Sequence, residues 1–229
     1  RMPAFEPAQH EIQRQETLAE LRMQEDDKFG FTYREYLKMM FHGHGYGHPS
    51  QGEREDVLRM TPQDCQRWHG RAIRPENLMV VVAGDMNTLE WRGVLEGLLG
   101  DWEGPGENLT RCEQPARAAT GQTLELTRPE LQQGFIVAGF PAPPLMDPDY
   151  PALRLASAVL GEGFAGRMFA NLRDRQSLAY ALGSTLRPYR LGGHQVLYIG
   201  TKPQTIDRAR EGLLAEAQAL KDAPVPADQ

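Results

Sequence analysis

The sequence predicts an α+β fold: a mostly antiparallel sheet with helices on one face. Two observations carry this. Apolar stripes at helical spacing and short apolar runs of strand length occur in both halves of the 229 residues. They do not alternate one for one, and the second half reads ββααββα, which argues against a doubly wound parallel sheet. A 40% hydrophobic and 24% charged composition is that of an ordinary globular protein.

In chain order, Gln9 to Asp27 is rich in Glu, Gln and Leu and free of Gly and Pro, and reads as an exposed helix. Its glutamates Glu11, Glu16, Glu20 and Glu25 read on their own as a solvated face. A second helix covers Tyr33 to Phe41. His42-Gly43-His44-Gly45-Tyr46-Gly47-His48-Pro49 follows as a glycine-punctuated loop, and its HxHxxxH spacing fits no standard zinc pattern. Thr61-Pro62-Gln63-Asp64 starts a helix: a hydroxyl N-cap, Pro at the first position and an acid in the first turn. Cys65, Trp68, His69 and Ala72 share one face of it.

Leu78 to Ala83 is a continuous apolar run and predicts a buried strand, closed by Gly84-Asp85. Trp91, Val94, Leu95 and Leu98 form another helical stripe, stopped by Gly100. Gly104 to Gly121, without periodicity and rich in Gly, Pro and polar residues, reads as a linker. Thr123 to Thr127 and Gly134 to Phe140 predict strands. Asp147-Pro148 opens a helix over Pro148 to Leu160, and Gly166 to Asp174 gives the next. Between them Gly161-Glu162-Gly163-Phe164-Ala165-Gly166 matches GxGxxG. It follows a helix and not a strand, so it reads as a helix–turn–helix joint rather than a dinucleotide site. Leu178 to Leu186 and Gln195 to Gly200 are strands, and Ile206, Ala209, Leu213, Ala217 and Leu220 mark a last helix. By spacing alone, Arg173 and Tyr180 end a helix and precede a strand.

A net charge of −6 excludes the basic footprint a nucleic-acid binder needs. No run of about 18 apolar residues is present to span a membrane. Arg1 to Pro7 has no apolar stretch of signal-peptide type, and the chain opens on Arg1 and not Met, as after removal of upstream residues. Cys65 and Cys112 make no disulfide framework and leave the redox compartment open.

Several collinear segments resemble the pitrilysin/insulinase family of zinc metallopeptidases, bacterial processing-peptidase-like members included. They are Leu18-Ala19-Glu20-Leu21-Arg22-Met23 with Glu25-Asp26-Asp27; Tyr46-Gly47-His48-Pro49; Thr61 to Asp64; Arg74-Pro75-Glu76-Asn77-Leu78 with Val80 to Asp85; and Leu160 to Gly163 through Arg167-Met168-Phe169, Leu172-Arg173 and Leu178-Ala179-Tyr180. The resemblance implies a clamshell of two similar α+β domains, the first truncated here: 1–105 as the C-terminal part of the zinc-side domain, 106–120 as linker, and 121–229 as the N-terminal part of a substrate-clamping domain without zinc. It implies zinc in the complete protein, held by an HxxEH helix and a later Glu. No HxxEH occurs in this sequence, so the chain alone is expected to be inactive and to hold no zinc tightly. Carried over by position, Glu20 resembles the distal zinc ligand. Gln13 stands where active members have a supporting Glu. Arg173 and Tyr180 resemble the pair that donates hydrogen bonds to substrate carbonyls.

Two functions remain open at this stage. The first is part of a zinc endopeptidase acting on peptides or unfolded polypeptides. The second is an inactive partner subunit that binds peptide and completes another chain's site. Both imply a homo- or heterodimer of peptidase-like domains, in a bacterial periplasm or cytoplasm.

Overall fold

The computed structural model describes residues 3–84, 88–102, 113–115, 121–129, 131–223 and 225, with the backbone alone for Thr88 and Leu89. The described helices and strands are α1 (Pro7–Asp26), α2 (Lys28–Met40), α3 (Arg54–Arg59), α4 (Pro62–Ala72), α5 (Thr88–Leu99), β1 (Gly134–Ala142), α6 (Tyr150–Gly161), β2 (Ala181–Tyr189), β3 (Gly192–Thr201) and α7 (Ile206–Asp222). The chain divides into two compact units, Arg1–Leu21 with Gln51–Glu113, and Arg22–Ser50 with Gln114–Gln229.

In the first unit Leu18 and Leu21 of α1 pack with Val57 of α3 into a small buried cluster. The predicted start of α4 forms as a full capping box. The Thr61 hydroxyl accepts from the Asp64 N–H at 3.2 Å, and the Asp64 carboxylate accepts from the Thr61 N–H at 2.8 Å. Those Thr61 donors hold the Asp64 carboxyl below its ordinary pKa. The expected strand over Leu78 to Ala83 is corrected. The segment is unpaired among the described residues and exposed, Met79 at 84% and Val81 at 81%. An apolar run becomes a strand only where a neighbouring edge takes its hydrogen bonds and a layer covers its faces, and neither is met here. The stripe read at Trp91 to Leu98 does form a helix, α5.

The second unit is built on a three-stranded sheet in the order β1-β3-β2, antiparallel throughout. β2 and β3 make a hairpin through Arg190 and Leu191, with Tyr189 opposite Gly192. Alternation along the central β3 sorts its side chains. Leu197 and Ile199 enter the main core with Leu160 of α6, Met168, Leu172 and Leu178, and Ala209 and Leu213 of α7. Gln195 on that face donates to the Ser184 Oγ at 2.5 Å and the Ser157 Oγ at 3.1 Å, tying α6 to the sheet. Val196 faces the other way and packs with Tyr36 and Met40 of α2 and with Phe41. The expected α+β layer, an antiparallel sheet with helices on one face, is therefore present, and α2 covers the opposite face as well.

α2 begins earlier than its apolar stripe, because Asp27 caps it by accepting from the Phe29 N–H at 3.1 Å. Thr123 to Thr127 alternates like a strand but joins no sheet among the described residues and is exposed; alternation makes a strand only where an edge is met. The helix expected from Gly166 to Asp174 forms: Arg167 and Met168 are α-helical and run into a π-helical segment, Phe169–Arg175. GxGxxG is the expected helix–turn joint. α6 ends at Gly161, Gly163 takes a positive φ of 79°, and a Cβ on Gly166 would lie 2.7 Å from the Gly161 Cα. The linker expected at 106–120 lies almost wholly outside the described residues, as do Cys112 and Asp85.

Candidate active site

Arg173 and Tyr180 stand on either side of one tightly held turn. The π-helical segment ends when Ser177 takes a left-handed φ of 52° and its N–H bonds the Arg173 carbonyl at 2.9 Å. The Leu178 N–H returns to the Leu172 carbonyl at 2.8 Å, and the Thr201 hydroxyl donates to the Leu178 carbonyl at 2.6 Å. Leu178 is buried in the main core, so both ends of the turn are anchored.

Arg173 is exposed, with its guanidinium carbon 4.5 Å from the Phe169 ring centroid, one turn back along the segment. Phe164, 82% exposed in the glycine joint, also meets Phe169 in an edge-to-face contact at 5.0 Å. The guanidinium makes no ion pair among the described residues. Tyr180 is pinned through its backbone, its N–H donating to the Gly200 carbonyl at 3.1 Å. Its ring lies over Gly200 and stands edge-on to Phe135 at 6.3 Å. Tyr180 is 45% exposed, and its hydroxyl has no hydrogen-bond partner among the described residues. Partial burial raises its pKa above the ordinary value, so it is a hydrogen-bond donor at neutral pH. The arrangement offers two donors without a hydrogen-bond partner among the described residues, Arg173 over the Phe169 ring and Tyr180 edge-on to Phe135.

Glu20 belongs to the first unit. It is exposed on α1, next to the buried Leu21. Gln13, also exposed on α1, donates its amide to Glu16 at 2.5 Å. The loop histidines are structural or solvated: the His44 Nδ1 accepts from the Tyr46 N–H at 3.1 Å, and His42 and His48 are exposed. Among the described residues no group of three or more His, Cys, Asp or Glu is placed to hold a metal ion. A catalytic zinc site needs about three protein ligands, so Glu20 alone does not fit one.

Sequence reasoning missed the supports of the two donors, Phe169 under Arg173 and Phe135 with Gly200 under Tyr180. The first could be read from its position one turn before Arg173. The second arises only from strand register, which sets Gly200 opposite Phe135 and Ala181.

Residues 59–229 match the family described as peptidase M16 inactive domain. An uncharacterized zinc protease of Mycobacterium leprae is 28% identical over 200 residues, 84% of this chain and 44% of that protein. The chain thus spans about half the length of the curated relatives it matches. A solved peptidase M16 inactive domain from Pseudomonas fluorescens superposes with a TM-score of 0.83 at 21% identity, over 97% of this chain and 54% of that one. A protease from Helicobacter pylori gives 0.84 at 19% identity, over 97% and 55%. These likenesses show a shared fold. The family match includes the whole sheet, Arg173 and Tyr180, and begins after Glu20; this chain belongs to the peptidase M16 family, the zinc-metallopeptidase family its segments resemble.

Proposed function

We propose that this chain is the substrate-clamping part of a zinc-dependent endopeptidase, in which Arg173 and Tyr180 donate hydrogen bonds to the carbonyl oxygens of a bound peptide. The observation that carries the reading is the pair of held but unpartnered donors flanking the 176–179 turn. A guanidinium and a neutral phenol suit oxygens that gain negative charge as a peptide carbonyl is attacked, and they need no reorganisation at that moment. Glu20 adds one carboxylate to a zinc site whose other ligands lie outside this chain. The zinc-protease names of its relatives support a metal in the complete protein. Binding and polarising peptide carbonyls is what this chain's own residues supply.

A second reading is a partner subunit without chemistry of its own, which binds peptide and completes the site of another chain. Gln13 favours it, since a neutral amide replaces the carboxylate of active members, and so does the inactive-domain description of the matched family. The test is cleavage of an unfolded polypeptide by the purified full-length protein. Cleavage abolished by a chelator and restored by zinc supports the enzyme. Cleavage only after a second, HxxEH-bearing chain is added supports the partner subunit, and no cleavage or peptide binding in either case removes both.

A further inference from the structure

On the sheet face that carries α2, a glycine lies under a tyrosine tip on each strand. A Cβ on Gly139 of β1 would lie 2.0 Å from the Tyr36 hydroxyl, and one on Gly183 of β2 would lie 2.6 Å from the Tyr198 hydroxyl. Gly200 of β3 is the third: its Cβ would lie 2.6 Å from the Tyr180 Cζ, 2.7 Å from its Oη and 2.9 Å from the Phe135 ring. The first two tyrosines are buried or half-buried. Tyr180 differs in being exposed.

We infer that Gly200 is a positioning residue for the clamp: its missing side chain is the seat that fixes where the Tyr180 hydroxyl is presented, with Phe135 as the wall of that seat. This rests on the reading of Tyr180 as a substrate donor. The physical case is a separation of costs. Gly200 has no positive φ, and a strand accepts alanine, so the backbone does not resist a methyl group. The atoms the methyl would strike are the far ends of two side chains: the Tyr180 ring, closest and 45% exposed, which can swing toward water, and the edge of the half-buried Phe135 ring, which must yield by less. The substitution is therefore accommodated by moving the Tyr180 ring and not by breaking the core. Restoring ordinary van der Waals distance from 2.6 Å displaces the phenol by about 1 Å, and a misplacement of that size costs roughly 100-fold in rate.

The experiment compares Gly200→Ala, Tyr180→Phe and the double variant in the full-length protein, with its partner chain if turnover requires one. Gly200→Ala is expected to lower kcat by about 100-fold with KM and Tm nearly unchanged. The double variant is expected to be no slower than Tyr180→Phe alone, because a displaced hydroxyl and a deleted one are the same loss. With 13Cζ-labelled tyrosine, the Tyr180 resonance should move in Gly200→Ala and titrate closer to an ordinary tyrosine, while those of Tyr36 and Tyr198 stay. Full activity in Gly200→Ala beside a slow Tyr180→Phe, or an unmoved Tyr180 resonance, overturns the inference and leaves the clamp reading standing. Full activity in Tyr180→Phe overturns both.

Discussion

Lowering the pH from 7 to 5 should destabilise the second unit through one buried imidazole, His194. This side chain is fully buried near the start of β3. Its Nε2 hydrogen-bonds the Tyr33 hydroxyl of α2 at 2.8 Å, and its Nδ1 has no partner among the described residues. Around it stand Tyr33 and Tyr36 from α2, Phe41 after it, and Tyr189 from β2, with ring centroids 5.4 to 5.9 Å away. The charged group nearest in register is Arg187, opposite His194 on β2. No carboxylate in this set offsets a second positive charge. Burial first, and then Arg187, push the His194 pKa down from 6.5 to about 4. The folded state thus refuses a proton that the unfolded chain takes up below about 6.5, so stability is intact above that pH and declines as pH falls toward 4. At roughly 1.36 kcal/mol per unit, the full loss is about 3 kcal/mol and the loss at pH 5 about 2 kcal/mol. The assay is urea unfolding at pH 7 and 5 followed by near-UV circular dichroism of the tyrosines, all seven of which lie in this unit. His194→Phe keeps a ring in place and removes the titration, and should lose about 2 kcal/mol less between the two pH values. Wild type and His194→Phe falling in parallel would refute the reasoning.

Other outcomes follow from the same structure. Leu197→Ala, in the fully buried core of the central strand, should destabilise the second unit by about 2 to 5 kcal/mol in the same unfolding assay. Amides of residues 79–83, exposed and in no strand pairing among the described residues, should exchange with solvent faster than those of β1, which pairs with β3 from Gly134 to Ala142; slower exchange at 79–83 than in β1 would contradict this. Metal analysis after dialysis should find well below one zinc per chain, because one carboxylate is far short of the roughly three ligands needed; a stoichiometric tight zinc would bring His42, His44 and His48 back into consideration. Limited proteolysis should cut within 104–121, where Gly, Pro and polar residues replace periodic elements, before it cuts within 148–174.

The helices α4, α5, α6 and α7 and the strands β1, β2 and β3 were legible in the sequence because their signals are local. Thr61-Pro62 sets a cap, Trp91 to Leu98 sets a stripe, and Val196 to Ile199 is a short apolar run of strand length. Leu78 to Ala83 and Thr123 to Thr127 misled for one shared reason: an apolar or alternating run encodes a willingness to pair, and the partner edge is not encoded nearby. α2 could be read as a helix, but its docking against Val196 and His194 could not, since contacts between distant segments leave no trace in spacing. The site divides in the same way. Arg173 and Tyr180 entered through family resemblance, because spacing alone makes them a helix end and a strand approach. Their supports at Phe135 and Gly200 exist only once the three strands are in register. His194 gave no signal in Gly193-His194-Gln195, where a buried and an exposed histidine look alike.

The central claim, that the second unit presents a substrate donor beside its sheet, is tested most directly by Tyr180→Phe in the full-length protein under conditions where peptide is cleaved. The substitution removes one hydroxyl and leaves the ring against Phe135 and Gly200. The account predicts a fall in kcat/KM of about 100-fold, near 2.7 kcal/mol, with an unchanged Tm. Unaltered kcat/KM in Tyr180→Phe would contradict it and leave the chain with the family's fold and no clamp.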